Sequence, residues 1–283
     1  MKQIVVISGK GGTGKTVLTG ALASLAENKV MADCDVDAAN LYLLLQPSVK
    51  ERHPFISGTF AKINPAICTR CGQCSAACRF QAISSEFAVS PISCEGCGLC
   101  ARLCPVNAIR MQENTAGEWF ISETRYGPFV HAKLGIAEEN SGKLVAQVRK
   151  TAQALGERNR ADYIIVDGPP GIGCPVIASL SGVDLALIVT EPTLSGIHDA
   201  GRVIELTEHF NIPTRMVINK WDINPATTEE IQRFCLSRKV PVIGRIPFDR
   251  AINESVISGR PAVECVNGTL KNEFIGIWEA IKG

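Results

Sequence analysis

Nowhere in the 283 residues does an apolar run approach the roughly 20 residues that span a bilayer. No charged-then-apolar leader opens the chain either, because Ile4–Ile7 is too short a run and a glycine loop follows at once. The expectation is therefore a cytoplasmic protein with no membrane association. An excess of one charge is also missing: 29 Lys and Arg stand against 28 Asp and Glu, a formal +1. No lysine- or arginine-rich run breaks that balance, which argues against a nucleic-acid footprint. What the chain does have is twelve cysteines, far more than a reducing compartment leaves without a metal. With 46% hydrophobic and 20% charged residues it is not a disordered sequence, and it is long enough for one sizeable α/β domain plus something smaller.

The apolar run Ile4, Val5, Val6, Ile7 is followed by Ser8-Gly9-Lys10-Gly11-Gly12-Thr13-Gly14-Lys15-Thr16 and then by an Ala/Leu-rich segment. That order is strand, glycine loop, helix. Backbone N–H groups of such a loop, pointing inward at a helix N-terminus, cage phosphate oxygens. Gly9, Gly11, Gly12 and Gly14 let the backbone come close. Lys15 then reaches the β- and γ-phosphates, and the Thr16 hydroxyl sits on Mg²⁺.

Lys10 adds a second lysine inside the loop. With it, the motif resembles the deviant Walker A of the MinD, ParA and Mrp ATPases, a branch of the P-loop proteins that includes the nitrogenase iron protein. The resemblance implies that Lys10 crosses a dimer interface to the partner's ATP. It thus implies a face-to-face homodimer, or a heterodimer with a related ATPase, with two nucleotides between the subunits.

A helix over Thr16 to Asn28, with Leu18, Ala21, Leu22 and Leu25 on one stripe, and a strand near Val30 and Met31 lead to Asp33-Cys34-Asp35-Val36-Asp37. By resemblance this is switch I, where Asp35 orients the attacking water and Asp33 supports the Mg²⁺ shell; Asp37 replaces the Gly of many relatives. Acidic residues after a strand are otherwise a solvated loop. Asp162 to Asp167 reads as a short apolar strand ending in an acid, followed by a Gly/Pro run, Gly168 to Gly173. This resembles Walker B and switch II, with Asp167 holding Mg²⁺ through water; the plainer reading is a strand ending in a turn.

The remaining pattern alternates strand and helix. Trp119 to Ser122 and Phe129 to Lys133 read as strands around Tyr126-Gly127-Pro128, and Ser141 caps a helix to about Glu157. Asp184 to Thr190, Arg215 to Asn219 and Val242 to Ile246 read as strands. Helices fall at Ser195 to Phe210, after a Thr227/Glu230 capping box, and from about Leu270. Such alternation predicts an α/β fold with a doubly wound, mostly parallel sheet, binding at the carboxyl ends of its strands. Asn219-Lys220 and Pro247-Phe248-Asp249 resemble the family's adenine site; an Asn there is otherwise a turn residue. The last helix carries Phe274, Ile277, Trp278 and Ile281 on one stripe between balanced charges, a pattern that packs on its own domain and not on lipid.

From about residue 50 to 115 cysteines replace the alternation. Cys68, Cys71, Cys74, Cys78 and Cys94, Cys97, Cys100, Cys104 form two copies of one unit, each followed by an Ala-Ile pair. This is the bacterial ferredoxin run for two [4Fe–4S] clusters, in which the fourth cysteine of each run serves the other cluster. Cys68, Cys71, Cys74 and Cys104 are thus expected on one cluster, and Cys94, Cys97, Cys100 and Cys78 on the second. Zinc or disulfides are the competing readings. Pro105 follows the fourth cysteine of the second run, and Arg79 stands at that place in the first. The expected domains are 1–50 and 116–283 for the ATPase and 51–115 for a small inserted α+β ferredoxin-like domain. Cys34, Cys174, Cys235 and Cys265 read by default as buried thiols. Cys174 also lies at the offset from Asp167 where the nitrogenase iron protein places a cluster ligand, which raises a bridging cluster as an alternative. The late C-x-x-C of Mrp-type scaffolds is absent.

The expected function is that of a dimeric, Mg²⁺-dependent ATPase whose turnover gates electron transfer to or from a redox partner. The alternatives are a carrier that delivers Fe–S clusters and a MinD-like positioning ATPase with a redox-sensing insert.

Overall fold

The computed structural model describes residues 1–135 and 141–282. Among the described residues nine strands are formed: β1 (Lys2–Ser8), β2 (Lys29–Asp33), β3 (Ser48–Ile63), β4 (Ile109–Thr124), β5 (Gly127–Leu134), β6 (Tyr163–Pro170), β7 (Leu185–Thr190), β8 (Thr214–Asn219) and β9 (Val242–Ile246). They make one sheet in the order β3-β4-β5-β2-β6-β1-β7-β8-β9. β1 pairs in parallel with β6 and β7, β2 with β5 and β6, and β8 with β7 and β9.

The run Ile4–Ile7 is fully buried at every position, not at alternate ones. Both faces of β1 are therefore covered, as a parallel sheet requires. The covering helices are α1 (Lys15–Leu25), α2 (Leu41–Leu45), α5 (Ser141–Asn159), α6 (Cys174–Leu180), α7 (Leu194–His209), α8 (Pro225–Ser237), α9 (Arg250–Ile257), α10 (Ala262–Cys265) and α11 (Gly268–Lys282); α3 (Gln73–Ala77) and α4 (Leu99–Leu103) lie in the cysteine-rich segment. α1 packs against α2, α10 and α11, while α5 packs against α6. The Leu18/Ala21/Leu22 stripe of α1 is fully buried, and so is the Phe274/Ile277/Ile281 stripe of α11.

The chain divides into two compact units. The first comprises Met1–Arg52, Trp119–Lys133 and Ser141–Gly283; the second is His53–Glu118 with a short segment beginning at Leu134. The core of the second unit is small: Ala61, Cys74, Ile83 and Ile109, with Phe87, Val89 and Met111 packed on it.

Two local expectations need correction, and a third borders on residues outside those described. The strand expected from Trp119 begins ten residues earlier, at Ile109, and β3 is equally long at 16 residues. α8 is capped by Asn224, whose side chain accepts from the Thr227 N–H at 3.2 Å, with Pro225 in the first turn. The Thr227/Glu230 pair is already inside the helix, and proline at the first position needs no N–H there. Ser141 is the first residue of α5, and the position before it lies outside the described residues.

Candidate nucleotide site and the cysteine-rich unit

β1 delivers the glycine loop to the N-terminus of α1, where Gly14 adopts φ +94°. A Cβ at Gly14 would run into the Asn219 side-chain amide, and one at Gly9 into Asp199. Asn219 stands at the end of β8 and donates from Nδ2 to the Thr13 carbonyl at 2.8 Å, while its Oδ1 accepts from the Lys220 N–H at 3.0 Å. Asn219 thus braces the loop itself. The Thr13 hydroxyl is buried with no hydrogen-bond partner among the described residues.

β6 brings Asp167 beneath this loop. Its two oxygens accept from Thr16 Oγ1 at 2.7 Å and Thr19 Oγ1 at 2.9 Å, one turn apart on α1. Asp33 sits across from Asp167 in the β2/β6 register. It accepts from the Asp35 and Leu41 N–H groups, which shapes the loop leading into α2. Both carboxyls are completely buried. Burial pushes Asp33 well above the usual carboxylate range, and Asp167 beside it pushes the same way. Burial raises Asp167 to about 6 against the opposing pull of Lys15 and the two threonine hydroxyls. Two buried acids on neighbouring strands oppose each other's ionisation. The Lys15 ammonium lies 3.8 Å from Asp35, which is half-buried and likewise raised by burial. Lys10, Lys15, Thr16, Asp33, Asp35 and Asp167 therefore gather at the carboxyl ends of β1, β2 and β6. Asp37 is exposed.

Pro247 follows β9 directly, and the next N–H, of Phe248, donates to Asp222 at 2.7 Å. Glu191 was not anticipated from the sequence. Its carboxylate meets Lys10 at 2.7 Å and Lys220 at 3.2 Å.

In the second unit the two cysteine runs fold as copies. Gly72 and Gly98, both with positive φ, precede α3 and α4, and the fourth cysteine, Cys78 or Cys104, follows each helix. Gln81 and Asn107 repeat the same left-handed backbone at φ 51°. Cys78, Cys94, Cys97 and Cys100 line one cavity, and Cys68, Cys71, Cys74 and Cys104 line another. Backbone N–H groups of Ala82 and Ala108 point at the sulfurs of Cys78 and Cys104, at 3.4 and 3.2 Å. Among the described residues, no three His, Cys, Asp or Glu side chains converge as ligands of a metal ion would. Of the other cysteines, Cys34 and Cys235 are buried, Cys265 is half-buried and Cys174 is exposed. The default of a buried thiol is therefore wrong for Cys174: it is the first residue of α6, with Pro175 next to it and its own side chain left outside.

A profile of the CobQ/CobB/MinD/ParA nucleotide binding domain matches residues 4–262. The chain belongs to the MinD/ParA family of P-loop ATPases. An uncharacterized protein of Methanocaldococcus jannaschii is 39% identical to it over 226 residues, covering 78% of this chain and 79% of that one. The septum site-determining protein MinD of Synechocystis is 27% identical over 270 residues, covering 92% and 81%. Among solved structures, Pyrococcus horikoshii MinD complexed with Mg-ADP superposes with a TM-score of 0.61 at 19% identity, covering 99% of this chain and 95% of that one. A chain of the Aquifex aeolicus MinC:MinD cell division protein complex gives 0.61 at 21% identity, covering 100% of this chain and 96% of that one. The sheet and glycine loop of this MinD/ParA ATPase are thus those of a nucleotide-binding fold, for which ATP and Mg²⁺ are the expected ligands. No helix among the described residues is long and apolar enough to cross a membrane.

Proposed function

We propose that this MinD/ParA ATPase is an ATP-driven switch: two copies close around two Mg²⁺·ATP, present a joint surface to a partner protein and separate after hydrolysis, with the cysteine-rich unit sensing redox state. The observation that carries the switch is the gathering of Lys15, Thr16 and Asp167 under one glycine loop. Gly9 to Thr16 would wrap the phosphates, and Thr16 would hold Mg²⁺ directly. Asp167 would reach the ion through water, with Asp33 fixing the loop behind it. Asp35 would orient water at the γ-phosphate, and Lys10 would reach the other subunit's nucleotide. Asn219 would support the base by holding the loop, with Pro247 against the ring.

The cysteine-rich unit suits two [4Fe–4S] clusters. Its eight thiols fall into the two sets of four that the crossed spacing calls for, each lining its own cavity. Tetrahedral zinc would draw four sulfurs to about 3.8 Å from one another, whereas a cubane would hold them further apart. N–H groups aimed at sulfur suit thiolates carrying cluster charge. Bound clusters would supply reversible one-electron chemistry at nearly fixed geometry.

The Synechocystis and Pyrococcus horikoshii proteins are named as septum site-determining MinD, which favours the positioning switch over ATP-gated electron transfer as the leading reading. Attachment to lipid through α11 is not part of it, because the apolar stripe of that helix is spent on its own core. ATP-gated electron transfer to a redox partner is the second reading, and two complete four-thiol sets favour it over cluster delivery.

Anaerobic purification followed by iron analysis, and sedimentation with ATP in oxidised and dithionite-reduced protein, tests the proposal. The expected result is about eight irons per chain and an ATP-dependent dimer whose midpoint differs between the two redox states. A bridging cluster on Cys174 would raise the iron to about ten per chain. Identical dimerisation in both states would remove the sensor role, and ATP-triggered oxidation of the reduced clusters by an added acceptor would promote the second reading.

A further inference from the structure

The Lys10 ammonium has three N–H donors, and within its own chain three oxygens take them: Glu191 Oε1 at 2.7 Å, Ser195 Oγ at 3.2 Å and Thr193 Oγ1 at 3.3 Å. The site is partly sheltered, with side-chain exposures of 30% for Lys10 and 17% for Glu191. Glu191 and Thr193 come from the turn between β7 and α7 and Ser195 from the first turn of α7, which Thr193 caps by accepting from the Gly196 N–H. A lysine saturated in this way is not free to serve a second subunit.

On the other side of the carboxylate, Lys220 reaches Glu191 Oε2 at 3.2 Å. Glu191 is thus shared by two lysines from opposite directions. If Lys10 leaves, Glu191 keeps a cationic partner and is not stranded, which is the costly outcome for a sheltered charge.

We propose that Glu191 is a latch that holds Lys10 inside its own subunit, and that Lys220 sets the strength of that latch by competing for the same carboxylate. The proposal rests on the reading that Lys10 is used across an ATP dimer. Dimer closure then includes an exchange in which Lys10 gives up Glu191, Thr193 and Ser195 for phosphate oxygens of the facing nucleotide, while Lys220 remains on Glu191. Glu191 is a positioning residue that touches neither nucleotide nor Mg²⁺.

Two variants should move dimerisation in opposite directions, which a merely structural role would not do. Glu191→Gln keeps the shape and removes the charge, so the protein concentration for half-dimerisation with ATP and Mg²⁺ should fall by about fivefold or more, the equivalent of a sheltered ion pair lost from each subunit. Lys220→Met leaves Lys10 as the only cation on Glu191, so the same midpoint should rise. Both are measured by analytical ultracentrifugation on the full chain, with fluorescent ADP affinity as a check that the monomer still binds nucleotide.

Unchanged midpoints, or shifts of the same sign, overturn the latch. Dimerisation of Glu191→Gln under conditions where the parent stays monomeric supports it. Absence of a dimer in parent and Glu191→Gln alike overturns both the latch and the ATP-dimer reading. A Lys10→Ala protein that dimerises like the parent removes the cross-subunit role alone, and the Glu191 variants then have nothing to release.

Discussion

Asp167 and Asp33 lie side by side without exposure to water, and burial outweighs the Lys15 charge and the two threonine hydroxyls on Asp167 and the two backbone N–H groups on Asp33. The fold therefore carries a cost whenever either carboxyl ionises. A group whose folded pKa is raised stabilises the fold fully below its unfolded value, and that contribution is lost as pH rises through the folded one. For Asp167 the window runs from about 3.8 to about 6. Asp167→Asn should accordingly raise the melting temperature of the nucleotide-free protein at pH 7 by a few degrees, on the order of 1 kcal/mol or more, and abolish Mg²⁺-dependent ATP hydrolysis. Scanning calorimetry together with phosphate release checks both halves, and a variant that is less stable without nucleotide would contradict the account. Gly14→Ala is a second residue-scale prediction. The side chain would meet the Asn219 amide on a backbone with φ +94°, so nucleotide binding should fall by at least about tenfold, an effect of about 1.4 kcal/mol or more. Asn219→Ala in the same chain should restore part of it, because the obstructing amide is then gone. Equilibrium binding of a fluorescent nucleotide reads both.

At the scale of elements, the β4–β5 hairpin has its own titrating group. His131 on β5 stacks between Phe120 at 4.9 Å and Phe129 at 4.6 Å, with Nε2 3.0 Å from the Ser122 hydroxyl. Burial lowers it from 6.5 to about 4. Here the sign is opposite to that of Asp167: stability is present above about pH 6.5 and is lost as pH falls toward 4, by about 2 kcal/mol after some allowance for partial exposure. His131→Phe should flatten that acid limb, as melting temperature against pH would show, and in the Asp167→Asn background the limb should stand out most clearly. The hairpin was only partly legible in the sequence. Phe129 to Lys133 showed as a strand, but the start of β4 at Ile109 was masked, because Ala108-Ile109 closes the second cysteine repeat and reads as part of it. The nucleotide loop, β6 and the α11 stripe were legible because local pattern and final burial agree there. Asn219 was placed at the right strand end, yet its hydrogen bond to Thr13 spans 206 residues, and no local pattern announces such a brace. Glu191 was missed for the same reason: its partners Lys10 and Lys220 lie on other strands' loops. In the cysteine-rich unit the repeat itself was legible, because its two copies fold alike, each with a positive-φ Gly, a short helix and a cysteine after it.

The whole molecule joins two units through two long strands: the chain leaves the first unit within β3 and returns to it within β4. β3 begins shortly after α2, and α2 begins at Leu41, whose N–H is held by Asp33. From the acid behind the nucleotide site to the cysteine-rich unit, the covalent path is therefore a short helix and one strand, with only a brief connection between them. In P-loop proteins the loop at this place orders around the triphosphate and relaxes after hydrolysis. On the proposal that the cysteine-rich unit holds two clusters, whose potential would respond to solvent exposure and to hydrogen bonds at sulfur, a strand displaced at one end would have something to change at the other. The alternative is an inert insertion, for which loop-closure cost is small and coupling absent. Two variants define the baseline: Lys15→Ala should keep its iron and lose ATPase activity, whereas Cys71→Ser should keep nucleotide binding and lose one cluster's iron, about four per chain. Redox titration of the parent with ADP and with a non-hydrolysable ATP analogue then measures the link. A shift between the two nucleotide states that disappears in Lys15→Ala is the expected outcome. Coupling of free energies is reciprocal, so the same shift must reappear as a redox dependence of nucleotide affinity. Equal potentials in both states, with equal affinities in both redox states, would mean that the two units share a chain and nothing more.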